Sequence, residues 1–268
     1  MELNKNFLFF DGGTGTVMQS MGLKPGEKPE NWNLERPNDI ISLHRQYIEA
    51  GADIIKANTF GASPLKFGAS YEKVVRAGIE NAKKAAQNTN VSVALDIGPS
   101  GKLLKPYGDL SFEDAVLNFA AVVKAGADAG ADLVLIETMN DSYETKAAVL
   151  AAKENCDLPV FVTCVYDEKQ KLMTGASPHA MAALLEGLGV DAIGVNCSLG
   201  PKEMKPVVRE LVRVCSVPVI VNPNAGLPKI ENGETVFDIT PEIFASEMED
   251  IARFGAGILG GCCGTTPK

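Results

Sequence analysis

The chain has 268 residues, of which 46% are hydrophobic, and its formal net charge at pH 7 is −9. This length and apolar content suit one large α/β domain with a full core. The acidic charge argues against nucleic acid or an anionic membrane surface as a partner. The sequence has no apolar run of the ~20 residues that span a membrane and no signal-peptide pattern after Met1, so it predicts a cytoplasmic protein.

Eight short apolar runs follow one another along the chain and predict β-strands. In order, they cover residues 7–10, 53–56, 91–95, 133–136, 160–165, 192–195, 217–221 and 257–259. Longer stretches with the apolar spacing of helices alternate with them. These predicted helices cover residues 39–50, 71–87, 112–129, 142–153, 178–188, 202–214 and 241–254. Ser142, Ser177 and Thr240 are expected to cap three of them.

Eight strands that alternate with helices are typical of a (β/α)8 barrel, the TIM barrel fold. A doubly wound sheet would use fewer strands, and the GxGxxG spacing at 255–260 runs through the last predicted strand instead of opening a helix. Only residues 264–268 follow that strand and the cysteine-containing turn after it, so we expect the final helix to be missing from this chain. Residues 1–268 are therefore expected to form a single barrel domain, a fragment of a longer multidomain chain.

The C-terminal ends of the strands form the mouth of a TIM barrel, where active sites of this fold lie. Polar residues stand at these ends throughout the sequence. They are Asp11, Asn58, Thr59, Asp96, Glu137, Thr138, Cys164, Tyr166, Asn196, Cys197, Asn222, Asn224, Cys262 and Cys263. Since all the strands of a parallel barrel end at one mouth, the sequence predicts a single polar site there.

Two adjacent cysteines, Cys262 and Cys263, follow the last strand between two glycines. Neighbouring residues of an extended chain point to opposite faces, so both thiols reach one centre only if the glycines let the backbone bend. Together with Cys197, they form a candidate three-thiolate site for zinc. Buried or redox-active cysteines, and a closed structural zinc site completed by another protein ligand, are the alternatives.

Three thiolates around zinc leave one tetrahedral position open, which is typical of a catalytic site. Their accumulated negative charge suits the binding of a substrate thiolate, and so the alkylation of a substrate sulfur. Asp11 and Glu137 are candidates to receive an α-ammonium group, and the turn at 12–15 offers backbone N–H groups to an α-carboxylate. Paired carboxylates also suggest glycoside hydrolysis, but that chemistry needs no thiolate cluster.

Four further residues are expected to be structural. His44 and His179 lie on predicted helices away from the strand ends, and Cys156 and Cys215 precede strands at the opposite end of the barrel. The role of Cys164 stays open, because strand alternation allows it to point into the barrel.

Six motifs, in order along nearly the whole chain, resemble the homocysteine S-methyltransferase family. They are DGGTGT at 11–16, GADIIKANTFGA at 51–62, DIGP at 96–99, IET at 136–138, GVNC at 194–197 and GGCCG at 260–264. The resemblance implies that Cys197, Cys262 and Cys263 bind zinc and that the zinc binds the thiol of homocysteine. Asp11 and Glu137 match positions that hold its amino group.

Further substrate contacts are predicted within the same motifs. Gly12 and Thr14 lie beside Asp11, while Asn58, Thr59 and Asn196 lie in the second and fifth motifs. Asn224 is a candidate fourth zinc ligand when substrate is absent, because its amide oxygen follows the seventh strand.

CSLGP at 197–201 and PNAGLP at 223–228 look most like the homocysteine module of cobalamin-dependent methionine synthases. This resemblance implies methylcobalamin as methyl donor, held on another module, with methyltetrahydrofolate as the ultimate source. The implied partners are homocysteine and the cobalamin- and folate-binding modules of the same or a partner chain. One alternative is a self-contained enzyme that uses betaine or S-methylmethionine, for which Trp32 in the long loop 22–37 is a candidate contact. The other is a zinc-binding scaffold without turnover.

Overall fold

The computed structural model describes residues 7–227, 229–231 and 234–268. Its strands in chain order are β1 (Leu8–Phe9), β2 (Ile54–Lys56), β3 (Ser92–Ile97), β4 (Leu133–Met139), β5 (Val160–Cys164), β6 (Ala192–Asn196), β7 (Val219–Asn222), β8 (Lys229–Glu231), β9 (Glu234–Val236) and β10 (Ile258–Leu259). Strands β8 and β9 form a separate antiparallel hairpin. The other eight correspond to the eight predicted strands.

The eight parallel strands form one sheet in the order β1-β10-β7-β6-β5-β4-β3-β2. Backbone hydrogen bonds join its two ends, since the Asp53 N–H donates to the Phe9 carbonyl at 2.8 Å and the Asp11 N–H donates to the Ile54 carbonyl at 3.0 Å. The sheet therefore closes, and the predicted (β/α)8 barrel is confirmed.

Helices surround the barrel and connect its strands. They are α1 (Thr14–Ser20), α2 (Trp32–Glu35), α3 (Pro37–Glu49), α4 (Pro64–Phe67), α5 (Tyr71–Ala85), α6 (Phe112–Asp128), α7 (Ser142–Asn155), α8 (Pro178–Gly187), α9 (Pro201–Val214) and α10 (Pro241–Phe254). Ser177 and Thr240 cap α8 and α10 as expected. The expected cap Ser142 is instead the first residue of α7, because the extended Asp141 before it accepts the Tyr143 N–H at 2.8 Å.

Two apolar clusters form the core. The larger cluster fills the layer between the strands and the helices, and Cys164 belongs to it. The smaller cluster fills the barrel, where Phe10 meets Phe161 edge to face with ring centroids 6.4 Å apart. Alternate residues of each strand supply the two clusters, as the pleat requires.

The loop 22–37 packs on the barrel through short elements that the sequence pattern did not reveal. A 3-10 turn (Pro29–Asn31) leads directly into α2. The Glu30 carboxylate accepts the Gly61 N–H at 2.5 Å, which fixes the loop next to the end of β2. Trp32 is 4% exposed in the main core, with the Arg36 guanidinium 3.7 Å from its ring centroid. Its ring is therefore part of the packing.

No helix follows β10 among the residues that the structure describes, as the sequence led us to expect. A groove of about 770 Å³ lies instead between α3 and α10. Phe9, Tyr47, Phe244, Met248 and Leu259 line it, and the Phe9 side chain is 46% exposed. Across the described ranges, no helix is both long and apolar enough to cross a membrane.

His44 lies on the buried face of α3 with none of its surface exposed. Neither ring nitrogen has a hydrogen-bond partner within the described part of the chain. Burial disfavours the charged imidazolium and lowers the pKa of His44 from 6.5 to about 4. This agrees with the structural role expected for this residue.

We predict that His44 makes the fold sensitive to acid. The unfolded chain takes up a proton at His44 near pH 6.5, and the folded chain only near pH 4. Protonation therefore favours the unfolded chain, and the free energy of unfolding falls as the pH drops through this window. Relative to a His44→Leu variant, the wild type should lose ~3 kcal/mol of unfolding free energy between pH 6.5 and pH 4. Urea unfolding at a series of pH values measures the difference.

The other histidine provides the control. His179 is exposed and lies 2.7 Å from the Glu210 carboxylate, and exposed pairs of this kind contribute little to stability, so His179→Gln should have nearly the unfolding free energy of the wild type at pH 7. Parallel profiles for the wild type and His44→Leu would contradict the prediction.

Candidate metal centre and active site

Three thiols meet at the mouth of the barrel. Cys197 follows β6 directly, and Cys262 and Cys263 follow β10 after two glycines. The three Sγ atoms lie within 4.8 Å of one another, and those of Cys197 and Cys263 are 4.0 Å apart. Cys262 is buried and the other two are half-buried. The structure thus brings together the three cysteines that the sequence singled out.

Left-handed backbone conformations turn Cys197 toward this cluster. Cys197 and Ser198 have φ values of 56° and 58°, a region that costs non-glycine residues about 1–3 kcal/mol each. The turn is held on both sides, since the Cys197 N–H donates to the Asn222 carbonyl at 3.1 Å and the Leu199 N–H donates to the Cys197 carbonyl at 2.7 Å. The backbone strain therefore lies at the point where the chain turns away from β6 and directs the Cys197 thiol into the cluster.

Thr265 joins the cysteine turn to the turn after β1. Its hydroxyl donates to the Cys262 carbonyl at 2.7 Å and accepts the Gly13 N–H at 3.0 Å. Its carbonyl accepts the Tyr47 hydroxyl at 3.1 Å. A Cβ atom at Gly12 would lie 2.5 Å from the Thr265 hydroxyl, so this close approach of the two turns requires glycine.

The thiol cluster has the chemistry and size of a zinc site. Zinc–sulfur bonds of about 2.3 Å in a tetrahedron place sulfur atoms ~3.8 Å apart, which is close to the 4.0 Å between Cys197 and Cys263. Hydrogen bonding with Cys262 and Cys263 lowers the pKa of the Cys197 thiol. The Asn224 side-chain oxygen is buried, with no hydrogen bond to any described residue. The residues present therefore fit a zinc ion.

Charged side chains occupy the other half of the mouth, at the ends of four consecutive strands. They are Asp11 after β1, Lys56 at the end of β2, Asp96 within the last residues of β3 and Glu137 within the last residues of β4, and each is at most 6% exposed. The Lys56 Nζ lies 3.8 Å from Asp11 Oδ1 and 3.6 Å from Glu137 Oε2. One ammonium thus faces three buried carboxyl groups.

Burial dominates the ionisation of these carboxyl groups. It raises the pKa of Asp11 and of Glu137 to about 7, although the Lys56 charge acts in the opposite direction. Burial and the neighbouring Glu137 raise the pKa of Asp96. The charge of Cys262 adds to the raised pKa of Asp11 and Glu137, so the acidic half and the thiol half act on each other electrostatically.

Asn196 holds the strand ends together between the two halves. Its side-chain oxygen accepts the Thr138 N–H at 2.9 Å and the Thr163 hydroxyl at 2.8 Å. Its amide group donates to the Thr138 hydroxyl at 2.8 Å and lies 4.0 Å from Cys262 Sγ. These bonds also stabilise Thr138, whose φ of 64° is unusual for a β-branched residue. Such contacts favour an organising role, while substrate contact by Asn196 stays a prediction.

Asn58 and Thr59 are engaged with neighbouring protein groups. The Asn58 amide donates to the Pro29 carbonyl and to Asn33 Oδ1, both at 2.9 Å. The Thr59 hydroxyl donates to the Asp96 carbonyl at 2.8 Å. These bonds hold the loop after β2, so substrate contact by either residue remains a prediction. By contrast, the buried Thr14 hydroxyl at the start of α1 has no hydrogen-bond partner in the ranges described above.

Sequence reasoning missed Lys56 and Thr265 as parts of this site. In the sequence, Lys56 is simply the polar residue that ends an apolar run. Its charge inside the GADIIKANTFGA motif was the one feature that could have identified it. Thr265 follows the GGCCG motif, where a hydroxyl gives no distinguishing pattern. Cys164, left open from the sequence, lies in the core between strands and helices, where burial raises the pKa of its thiol to about 12.

Comparisons with known proteins agree with this geometry. The model of the homocysteine S-methyltransferase family matches residues 8–268. The methionine synthase of Mycobacterium leprae is 33% identical over 280 residues, and that of Mycobacterium tuberculosis is 32% identical over 288 residues. These matches cover 96% and 99% of this chain but 23% and 24% of the relatives. The chain thus spans about a quarter of their length.

Solved structures share the fold. The homocysteine methyltransferase MmuM of Escherichia coli has TM-scores of 0.84 in its oxidised form and 0.83 in its metallated form, with 24% identity and coverage of 98% of this chain and 94% of that chain. The carboxyl transferase domain of Rhizobium etli pyruvate carboxylase with 3-hydroxypyruvate has a TM-score of 0.57 at 14% identity and covers 97% of this chain and 40% of that chain. At these identities, the likeness shows the barrel fold alone.

We predict that the three clustered thiols bind one zinc ion per chain. Alanine in place of Cys197, Cys262 or Cys263 should lower the zinc affinity by at least about 100-fold, because each change removes a metal ligand. Metal analysis after dialysis, with competition against a chromophoric chelator, measures the affinity. Cys156→Ala and Cys215→Ala are matched controls outside the cluster and should retain the ion. A cluster variant with unchanged zinc affinity would exclude that thiol as a ligand.

Proposed function

Because this chain belongs to the homocysteine S-methyltransferase family, we propose that it binds homocysteine as a thiolate and positions its sulfur for methylation to methionine. The observation that carries the proposal is the meeting of three thiols with buried carboxyl groups at one barrel mouth. The thiols suit the sulfur end of the substrate through a metal, and the carboxyl groups suit its ammonium end. A single small thiol that carries an amino group spans both halves.

Cys197, Cys262 and Cys263 are the proposed zinc ligands. When bound there, zinc supplies the Lewis acidity that lets the substrate thiol lose its proton near neutral pH. The substrate sulfur then provides the electron pair of the new sulfur–carbon bond. The bond between the methyl carbon and its donor breaks, and its electrons remain with the donor. The chain contributes orientation and the exclusion of water around the sulfur.

Asp11 and Glu137 are the proposed acceptors for the α-ammonium group. The Lys56 backbone N–H donates to Asp11 Oδ2 at 2.9 Å and fixes that carboxyl group. The opposite oxygen, Asp11 Oδ1, and Glu137 Oε2 form no hydrogen bond with any residue that the structure covers. The turn at Gly12 and the Thr14 hydroxyl lie directly after Asp11 and suit the α-carboxylate. The segment 11–14 thus offers groups to both the ammonium and the carboxylate of an amino acid.

The proposed methyl donor is methylcobalamin on another module, with methyltetrahydrofolate as the ultimate source. Support comes from the two mycobacterial methionine synthases, about four times the length of the matched region. The self-contained alternative, with betaine or S-methylmethionine, would need contacts from the loop 22–37. Its candidate residue Trp32 is buried in the core, which favours the modular donor. A scaffold without turnover remains the alternative from another class.

The donor prediction is tested by methyl transfer to homocysteine. Zinc-loaded protein receives methylcobalamin, betaine or S-methylmethionine in separate reactions, and methionine is quantified. We expect turnover with methylcobalamin only. Cys263→Ala should lower it by at least about 100-fold, because it removes a ligand from the centre. Cys215→Ala should match the wild type, since its thiol lies outside the cluster.

The other outcomes identify the alternatives. Turnover with betaine or S-methylmethionine would move the chain to the self-contained enzymes. Calorimetry and proton release measure the binding of homocysteine. Tight zinc binding without any binding of homocysteine would favour the scaffold.

We also predict that the Asn224 amide oxygen completes the zinc site when substrate is absent. Asn224→Ala should lower zinc affinity about 10-fold without homocysteine and leave it unchanged with saturating homocysteine, whose sulfur takes the same position. Chelator competition with and without homocysteine measures both values. Equal affinities of variant and wild type in the substrate-free state would show that another group, such as water, completes the site.

A further inference from the structure

Lys56 is a buried cation to which neither the thiol cluster nor the proposed substrate contacts assign a task. Its side chain is 5% exposed at the end of β2, and the whole of that strand is buried. Burying an ammonium group is costly unless it is paired. Here the partners are Asp11 and Glu137, at 3.8 Å and 3.6 Å. The ammonium lies between the two carboxyl groups proposed for the substrate.

Both contacts are longer than hydrogen bonds. N⁺–H···O⁻ bonds are usually about 2.7–2.9 Å, whereas these separations are 3.6 Å and 3.8 Å. The two facing oxygens accept no hydrogen bond within the described parts of the chain. Lys56 therefore attracts both carboxylates, and each facing oxygen keeps an acceptor position that the ammonium does not fill. A second cation with N–H donors finds those positions open.

The charge balance of this half of the mouth favours one more cation. Within the described ranges, Lys56 is the cation that acts on Asp11, Asp96 and Glu137. Tyr47 and Cys262 are the other titratable neighbours of this group. Without Lys56, these three buried carboxyl groups would lose the positive charge that stabilises their ionised forms, and they would take up protons more readily. A protonated carboxyl group binds an ammonium group far more weakly than a carboxylate does.

We propose that Lys56 is a positioning residue that favours the ionised forms of Asp11 and Glu137 for the substrate ammonium group, and thereby makes the site select thiols that carry an amino group. This inference rests on the proposed function and assigns its substrate preference to one residue. Lys56 acts through the two carboxylates and does not itself contact the reacting sulfur.

The test compares three thiols that differ in one group. Homocysteine has both charged groups, 3-mercaptopropylamine lacks the carboxylate, and 4-mercaptobutanoate lacks the amino group. Calorimetry with zinc-loaded wild type, Lys56→Met and Lys56→Gln measures the affinity for each thiol from pH 6 to pH 9. The second variant keeps a polar side chain in case Lys56→Met does not fold. Lys83→Met is the matched control, because it removes a lysine that contacts Asp132 at 2.7 Å on the outside of the barrel.

We expect both Lys56 variants to bind homocysteine and 3-mercaptopropylamine about 10- to 100-fold more weakly at pH 7. The affinity for 4-mercaptobutanoate should change less than about 3-fold, since it carries no ammonium group. The loss should diminish as pH rises and the carboxyl groups ionise. In addition, ¹³C NMR of the metal-free protein should show higher titration midpoints for Asp11 and Glu137 in the variants.

Other results overturn the inference. An equal loss for all three thiols would mean that Lys56 supports the fold or the metal, and a selective loss of 4-mercaptobutanoate would mean that it binds the substrate carboxylate. Tighter binding of the amines would mean that Lys56 occupies the ammonium position. If the wild type binds none of the three thiols, the proposed function fails, and the preference for thiols that carry an amino group fails with it. Wild-type binding with unchanged carboxyl midpoints in the variants overturns the role of Lys56 alone.

Discussion

The contact of the Lys56 ammonium with two buried carboxyl groups underlies the arrangement of the whole mouth. The Lys56 backbone also holds Asp11 through its N–H group, and Asp11 begins the turn that approaches Thr265 and the cysteine turn. An unbroken series of polar contacts thus runs from the acidic half to the thiols. Because burial makes each of these charges costly, the contacts leave few alternative arrangements of the turns.

The barrel was predictable from the sequence because its strands are short, apolar and rich in β-branched residues. Strands β3 and β4 extend two or three residues beyond the predicted ends, through Asp96 and Glu137, since ladder hydrogen bonds tolerate polar side chains that line the mouth. Helix α1 and the hairpin β8–β9 were not predicted. The first begins in a glycine-rich turn without apolar periodicity. The second follows the hairpin signal of Asn-Gly at 232–233, which a search for apolar runs does not detect.

The thiol cluster was also accessible to sequence reasoning, because adjacent cysteines between glycines and a third cysteine at a strand end have few other uses. The hydrogen bonds of Asn196 and Asn58 were not accessible. Both residues end up bonded to groups 25 to 58 positions away, and spacing along one chain does not show which partner a side chain finds. Lys56 was missed for a related reason, since its two carboxylates come from different strands.

The position of β10 between β1 and β7 sets the order in which this site can arise. The Gly13–Thr265 contact joins residues 252 positions apart, and Cys262 and Cys263 enter with the same strand. During synthesis, Cys197 leaves the ribosome well before them, so a nascent chain exposes one of the three clustered thiols while the barrel is still open. Contacts this distant in sequence are slow to form, because loop-closure entropy opposes them. Closure of the barrel and assembly of the three-thiol cluster are therefore one event, and a chain that has not closed does not present the three thiols together.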